Sequence, residues 1–373
     1  MIFAMTGLGA LAVAVSYFAV GPQRFWANWL VWMLMLMSAG LGALFLVGLE
    51  HLTSARWSVP LRRTAERVAG LVVPASGAAL LALFSLKVLY PWARPEAAGL
   101  PLVAAKAAWL NIPFFAARVA ACAALWLWSW RMLAGDSLEQ DQSRDAAVTV
   151  RARRFAPLLM AIVALTVTLA AFDWISSLEP EWYSDVIGVY LFSGMFLAGL
   201  AVVTLAVIRL IEAGRLPDVR YDHVYSLGGW LFAFTVFWSY IAFAQYLLMW
   251  YANLPEEVVW YQQRTAGPWR GVALALAVFH FVIPFFALIP RDAKGDLRRL
   301  RRVAILVLGA HFLDLYWLVF PVLGGVPLFS WPELGFACFF LGVALLWLRR
   351  AMRQGEDMPV GDPFLAEGLA FRL

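Results

Sequence analysis

Long apolar stretches alternate with short polar connectors along the whole chain. Each stretch has roughly the 20 residues that a helix needs to cross about 30 Å of hydrocarbon. Ten such stretches are present, near residues 2–20, 26–50, 68–90, 107–130, 155–175, 186–210, 225–251, 268–290, 303–321 and 331–349. The pattern predicts an all-α polytopic membrane protein with about ten transmembrane helices, in which residues 1–373 form a single integral membrane domain.

Basic residues are concentrated on every second connector. Of the 29 Lys and Arg residues, 22 follow the even-numbered stretches or lie in the C-terminal tail, five lie on the other connectors, and two lie inside stretches. Lys and Arg near the ends of transmembrane helices are retained on the cytoplasmic side. We therefore predict that both termini are cytoplasmic and that residues 350–373 form a cytoplasmic tail.

Composition excludes several classes of protein. A chain that is 63% hydrophobic and 14% charged is not a soluble multidomain protein, and topology accounts for the net charge of +5 without a nucleic-acid partner. Cys122 and Cys338 both lie in predicted spans and provide no CxxC site. The four His residues lie on different segments, whereas a di-haem bundle needs paired axial ligands. We expect this chain to bind no metal and no cofactor.

Ionisable residues inside the predicted spans are the main functional candidates, because charge in lipid is costly and usually faces the bundle interior. His280 lies near mid-depth in segment eight, and His311 and Asp314 lie one helical turn apart in segment nine. Such a group can relay protons or simply hold helices in register. Glu50 and His51 end segment two at the predicted cytoplasmic edge, where they can take up protons or cap the helix.

A second group of charges lies toward the predicted outer side. Lys87 is near the outer end of segment three, Arg118 is about midway along segment four, and Asp173 is at the outer end of segment five. Neighbouring helices can bring these three charges together near the exit of a proton half-channel. The structural alternative is either an ion pair or the extension of Lys87 and Asp173 to the membrane interface.

Two further regions are candidate binding surfaces. Segment seven carries a polar and aromatic run with Trp238, Tyr240 and Gln245, compatible with a quinone headgroup or with ordinary helix packing. The predicted outer connectors are acidic, and they can dock a partner of complementary charge or remain solvated. Their acidic residues are Glu179, Glu181, Asp185, Glu256 and Glu257.

Eight sequence blocks resemble one known family. They are EHLTSARWSVPLRRTAE (50–66), YPWA (90–93), KAAWLNIPFFAAR (106–118), FDWISSLEPEWYSDVIGVY (172–190), FTVFWSYIAFAQYLLMWYANLPEEVVWY (234–261), HFVIPFFALIPR (280–291), LDLYWLVFP (313–321) and VGDPFLAEGLAF (360–371). In this order, nearly end to end, they are similar to the F subunit of bacterial alternative complex III. That complex is a quinol:cytochrome c (or other acceptor) oxidoreductase of respiratory and photosynthetic chains.

The resemblance implies an integral subunit of the bacterial inner membrane with two four-helix bundles of the polysulfide-reductase (NrfD-like) type, segments two to five and six to nine, plus flanking helices. It implies partners outside this chain: a periplasmic iron–sulfur subunit, haem c subunits and a homologous NrfD-like membrane subunit that holds the better-supported quinol (menaquinol) pocket. We assign no catalytic residue here and expect a role in assembly and in proton translocation through a half-channel. A purely structural membrane anchor and an independent transporter remain the alternatives.

Overall fold

The computed structural model describes residues 1–97 and 101–373, and every regular element in these ranges is helical. Within them, ten helices are long and apolar enough to cross a membrane, which confirms the predicted fold class. We number them spans 1 to 10. They are Ile2–Ala19, Pro22–Leu52, Val59–Leu89, Ile112–Ser143, Ala146–Leu178, Ile187–Glu212, Tyr221–Ala252, Trp269–Leu288, Leu297–Leu323 and Trp331–Ala351.

Five spans change helix type along their length. Span 3 consists of three α-helical parts, Val59–Ala69, Val72–Ala82 and Leu86–Leu89, with a 3₁₀ turn at Leu83–Ser85 before the last part. A π-helical turn lies in each of spans 4, 5 and 8, at Arg131–Gly135, Ala171–Ile175 and Ala277–Val282. A 3₁₀ turn ends span 5 at Ser176–Leu178 and span 9 at Phe320–Leu323. Short helices outside the spans are Pro91–Ala93, Pro95–Ala97, Pro101–Ala105, Pro255–Thr265, Asp292–Lys294 and Leu365–Leu369. A π turn adds a residue to the helical repeat and often occurs at functional positions.

Contacts group the spans as the resemblance implies. Spans 2 to 5 form one four-helix set and spans 6 to 9 form the other, while spans 1 and 10 pair with each other and pack beside span 2. Spans 2 and 6 make the main contact between the two sets. They approach closely because Gly42 faces Gly199, and a Cβ atom on either would lie within 2.6 Å of the other helix's backbone.

The C-terminal residues fold back across one end of the bundle, which we call the arginine-rich end. Asp357 pairs with Arg67 and Arg215 at 2.7 and 2.6 Å, and Asp362 pairs with Arg62 at 2.7 Å. These contacts join the tail to span 3 and to the connector between spans 6 and 7. The segment predicted as a tail is therefore a packed cap over this end of the bundle.

Candidate functional site

Spans 6 to 9 bring together five buried polar and aromatic side chains, which we call the His–Asp cluster: Tyr190, Trp238, His280, His311 and Asp314. The Tyr190 hydroxyl donates to Asp314 Oδ1 at 2.5 Å. The Trp238 indole N–H donates to the other carboxylate oxygen at 3.1 Å. The carboxyl group of Asp314 is thus held by two donors from two other spans, and its own span places His311 one turn away.

The two imidazoles are short of hydrogen-bond partners. His311 Nε2 lies 2.9 Å from Ser38 Oγ of span 2, but its Nδ1 has no partner within the described ranges, and neither nitrogen of His280 has one there. The His280 ring packs on Trp238 with 3.8 Å between ring centroids and lies 6.1 Å from the His311 ring. Buried polar nitrogens without partners are costly. Each imidazole therefore keeps at least one nitrogen that can still form a hydrogen bond.

Local backbone features position both imidazoles. His280 lies in the π turn Ala277–Val282 of span 8, which redirects its ring toward span 7. Gly194 of span 6 makes room for His311, because a Cβ atom at Gly194 would lie 2.9 Å from that ring. The sequence predicted the grouping of His280, His311 and Asp314, and the structure brings these three residues together.

A pocket of about 540 Å³ adjoins the cluster, and we call it the aromatic pocket. Spans 6 to 9 and the helix Pro255–Thr265 surround it, and its lining includes Tyr190, Trp238, Tyr240, Tyr246, Tyr261 and Trp317. This volume falls in the range of small-molecule sites. Burial raises the pKa of Tyr261 far above its usual value, so its hydroxyl remains a hydrogen-bond donor at neutral pH. The pocket thus combines an aromatic wall with a few hydroxyl groups.

Two of the three residues predicted to bind quinone line this pocket. Trp238 and Tyr240 do so. Gln245 does not line the pocket, and its buried side-chain carbonyl accepts a hydrogen bond from Ser184 at 2.6 Å. Tyr190 and Tyr261 line the pocket but were missed as site residues. Tyr190 closes one of the family-like sequence blocks, and that was the only signal available for it.

Glu50 and His51 lie at the arginine-rich end and are buried. Glu50 Oε2 is 3.4 Å from Arg62 Nε, and the same guanidinium holds Asp362 of the tail. Ser38 and Glu50 are twelve positions apart on span 2, so about 18 Å of helix separates Glu50 from the His–Asp cluster. The structure thus places the two groups proposed as stations of one path at different depths of the bundle, and the path itself stays a prediction.

The charges predicted toward the outer side form a pair rather than a group of three. Arg118 Nε and Nη2 donate to the two carboxylate oxygens of Asp173, each at 2.8 Å, and the Trp109 indole N–H also donates to this carboxylate at 3.2 Å. The remaining Arg118 nitrogen donates to the Trp109 carbonyl at 3.1 Å. Lys87 is exposed and lies outside this pair.

The acidic residues proposed for docking divide into two kinds. Glu179 accepts a 2.5 Å hydrogen bond from Arg264, a buried side chain of the helix Pro255–Thr265. Burial lowers the pKa of Arg264, and the Glu179 carboxylate opposes that shift. Glu179 therefore ties two connectors together. The others remain available to a partner: Glu181, Asp185 and Glu256 are exposed and Glu257 is half-buried.

The described part of the chain contains no group of three or more His, Cys, Asp and Glu side chains that could hold a metal ion. Cys122 and Cys338 are both free thiols. The placement of haem c and iron–sulfur clusters in partner subunits stays a prediction. Comparisons of the chain with protein-family models and with curated proteins gave no match.

Proposed function

We propose that this chain is a membrane subunit of a quinol:acceptor oxidoreductase of the alternative complex III type, and that it handles protons there. In this proposal the chain lies in a bacterial inner membrane with the arginine-rich end in the cytoplasm, as its charge distribution favours. Electron carriers belong to the partner subunits. One observation carries the proton-handling part: the His–Asp cluster directly adjoins the aromatic pocket, and Tyr190 and Trp238 belong to both.

Four of the family-like blocks contribute to this one site. Blocks 172–190 and 234–261 supply Tyr190, Trp238 and Tyr261, while blocks 280–291 and 313–321 supply His280 and Asp314. Segments that are distant in sequence thus meet in one site: Tyr190 and Trp238 bond to Asp314, His280 packs on Trp238, and Tyr261 lines the adjoining pocket. Their convergence supports a functional rather than an incidental origin of the resemblance.

The chemistry that this site can perform is proton transfer. The Tyr190 hydroxyl connects the pocket wall to Asp314, so a proton released in the pocket can reach the carboxyl group through it. A neutral imidazole has one acceptor nitrogen, so His280 and His311 can each take up one proton as further acceptors in the cluster. A quinol ring fits the pocket wall, because planar rings stack on aromatic side chains. The described residues thus supply ring contacts and proton acceptors.

Purification through a tag on this chain tests the membership of the complex. The expected result is co-purification of an iron–sulfur subunit and c-type haem subunits, together with quinol-dependent reduction of an acceptor. A folded chain that is recovered alone, colourless and inactive, under conditions that preserve other respiratory complexes, would reject the assignment.

The Asp314→Asn variant tests the proton-handling role within the purified complex. We expect unchanged subunit composition and haem spectrum but about a tenfold or greater loss of turnover or of protons moved per electron. Asp218→Asn is the matched control, because Asp218 is an exposed acid on a connector. Normal turnover and proton stoichiometry in the Asp314→Asn complex would contradict the role.

A purely structural anchor is the second candidate, and the saturated Arg118–Asp173 pair favours it. In that case every intramembrane charge serves only to hold helices together. The same complex then assembles, but Asp314→Asn has no effect on proton stoichiometry. The two proposals therefore give opposite results in one assay.

A further inference from the structure

A second pocket, of about 400 Å³, lies at the arginine-rich end, away from the His–Asp cluster. It lies between the start of span 3 and the ends of spans 4 and 10, and we call it the arginine pocket. Its lining includes Arg63, Glu66, Arg67, Trp130, Trp347 and Arg350. Neither the proton relay nor the aromatic pocket uses any of these residues.

Charges of both signs face this pocket without full hydrogen-bonding. Glu66 is 2% exposed, and within residues 1–97 and 101–373 its carboxylate makes no hydrogen bond of good geometry, its one polar contact besides Arg63 being a weak one to the Ser137 side chain. Its carboxylate lies 3.6 Å from Arg63 Nη1, which is too far for a hydrogen bond. The Nε and Nη1 atoms of Arg63, the Nε atom of Arg67 and the indole nitrogen of Trp347 likewise lack partners in those ranges.

Hydrogen bonds to other parts of the chain hold the guanidinium groups of Arg63 and Arg67 in place. Arg63 Nη2 donates to Asp141 at 2.6 Å and to the Ser137 carbonyl at 3.1 Å. Arg67 donates to Asp357 at 2.7 Å and to backbone carbonyls of the tail. Both guanidinium groups are therefore held in place, and each keeps at least one unused N–H group. Buried, fixed guanidinium groups with unused N–H groups, beside a buried carboxylate that is only loosely paired with Arg63, can form a binding site for a polar ligand.

We infer that the arginine pocket binds a phospholipid headgroup that carries both a phosphate and a primary amine. Arginine N–H groups suit the phosphate oxygens, and the ammonium group of the same headgroup supplies donors to Glu66. A purely anionic headgroup would bring its charge against the Glu66 carboxylate, and a lone cation would face Arg63 and Arg67. Only a zwitterion satisfies both signs.

The position of the pocket suits a lipid rather than a soluble ligand. It lies where the apolar stretches of spans 3, 4 and 10 give way to charged residues, which is where lipid headgroups would lie in the proposed orientation. Trp130 and Trp347 give it an apolar wall, and their rings are 6.2 Å apart. Such a wall contacts the glycerol backbone and the first part of an acyl chain. This inference is independent of the proposed oxidoreductase role.

Native mass spectrometry of the delipidated full-length chain tests the inference. The probes are short-chain phosphatidylethanolamine, phosphatidylcholine and phosphatidylglycerol, and inorganic phosphate. We expect phosphatidylethanolamine to bind about tenfold more tightly than the other two lipids, because only it combines phosphate with an N–H donor for Glu66. Inorganic phosphate should show no saturable binding.

Three variants locate the binding. Glu66→Gln should remove the preference for phosphatidylethanolamine over phosphatidylglycerol. Arg350→Gln should weaken binding of all three lipids, and this exposed side chain can be changed without disturbing the fold. Arg349→Gln is the matched control, because Arg349 is the adjacent exposed residue and is absent from the pocket lining.

Several outcomes would overturn the inference. Phosphatidylglycerol binding as tightly as phosphatidylethanolamine would indicate a site for anionic lipid, and saturable phosphate binding would indicate a simple anion site. An unchanged lipid preference in Glu66→Gln, with the variant eluting as a folded chain, would remove the role of the carboxylate. Equal effects of Arg349→Gln and Arg350→Gln would show binding outside the pocket.

Discussion

Replacing Asp173 by Asn tests whether the Arg118–Asp173 pair is structural. The side chain of Asp173 is 3% exposed and that of Arg118 is 7% exposed, so neither charge is well solvated. Asn has nearly the same shape as Asp but removes the negative charge. It also replaces one accepting oxygen by an N–H₂ group that faces guanidinium donors. The variant therefore leaves a buried guanidinium without a counter-charge.

The expected cost follows from this geometry. Removing one partner of a buried ion pair costs about 3 to 5 kcal/mol. Arg118 keeps its hydrogen bond to the Trp109 carbonyl and its position 4.2 Å over the Trp109 ring, which partly compensate. We therefore expect the lower end, about 3 kcal/mol. Asp136→Asn is the matched control, because its partner Arg151 is 55% exposed and such pairs contribute about 1 kcal/mol or less.

The assay is the fraction of folded, monodisperse protein recovered after heating in detergent. Asp173→Asn should lose its folded peak at a clearly lower temperature than either the parent or Asp136→Asn. The double variant Arg118→Met/Asp173→Leu should recover most of the loss, because apolar residues of similar size often replace a buried pair without cost. A structural role for the Arg118–Asp173 pair is refuted if Asp173→Asn is as heat-stable as Asp136→Asn, or if the double variant is less stable than the single one.

The same double variant addresses proton movement. A structural pair predicts that the assembled complex keeps its protons-per-electron ratio when both charges are replaced. A fall in that ratio, with assembly intact, would instead assign Arg118 and Asp173 to the exit of a proton path.

Three more substitutions test the packing and the separation of the sites. Gly199→Ala places a methyl group about 0.8 Å closer to span 2 than ordinary van der Waals contact allows, so we expect about 1 to 3 kcal/mol of destabilisation and a lower midpoint of heat unfolding. Gly309→Ala is the control, because the space around Gly309 is open. Equal midpoints for the two variants would contradict the close packing of spans 2 and 6. The added Cβ atom of Gly194→Ala would lie 2.9 Å from the His311 ring, so we expect lower proton-coupled turnover in the assembled complex. Normal turnover would show that the His311 ring can move away from the added methyl group. Glu50→Gln and Asp314→Asn should change the activation free energy of turnover additively, so that the double variant loses turnover by the product of the two single losses, because the two residues are far apart. A strong departure from additivity would indicate one connected path.

The spans were predictable because each one is an apolar run of sufficient length. The ends of the spans were harder to predict, because spans 3, 4 and 5 extend well beyond the predicted apolar stretches. At the start of span 3, Arg62 and Arg63 looked like a solvated connector, yet both are buried. Their partners Asp362 and Asp141 lie 300 and 78 positions away. A hydropathy profile depends only on neighbouring residues in the sequence. It therefore cannot show that carboxylates far along the chain pair with these arginines and allow them to be buried between helices.

The site was predictable where its residues share one helix face or lie at similar depth in consecutive spans, as His280 and His311 do. The i, i+3 spacing places His311 beside Asp314 on one face, and this needs no tertiary information. Tyr190 and Ser38 join the cluster only because spans 6 and 2 pack against span 9. For Lys87 the predicted proximity to Arg118 is not found. Its position along span 3 suggested that proximity, but the direction in which a side chain points around its helix depends on packing.

The contact between the two bundles also determines what the His–Asp cluster can connect to. Ser38 is the span 2 side chain that bonds to His311, and one turn further along, Gly42 meets Gly199 of span 6. From there to Glu50, span 2 presents only apolar side chains and glycine. Protons therefore have no polar side chains to follow along this span toward the arginine-rich end. The cluster connects more readily to the aromatic pocket, which shares Tyr190 with it, and so the pocket side is where proton exchange with the His–Asp cluster is expected.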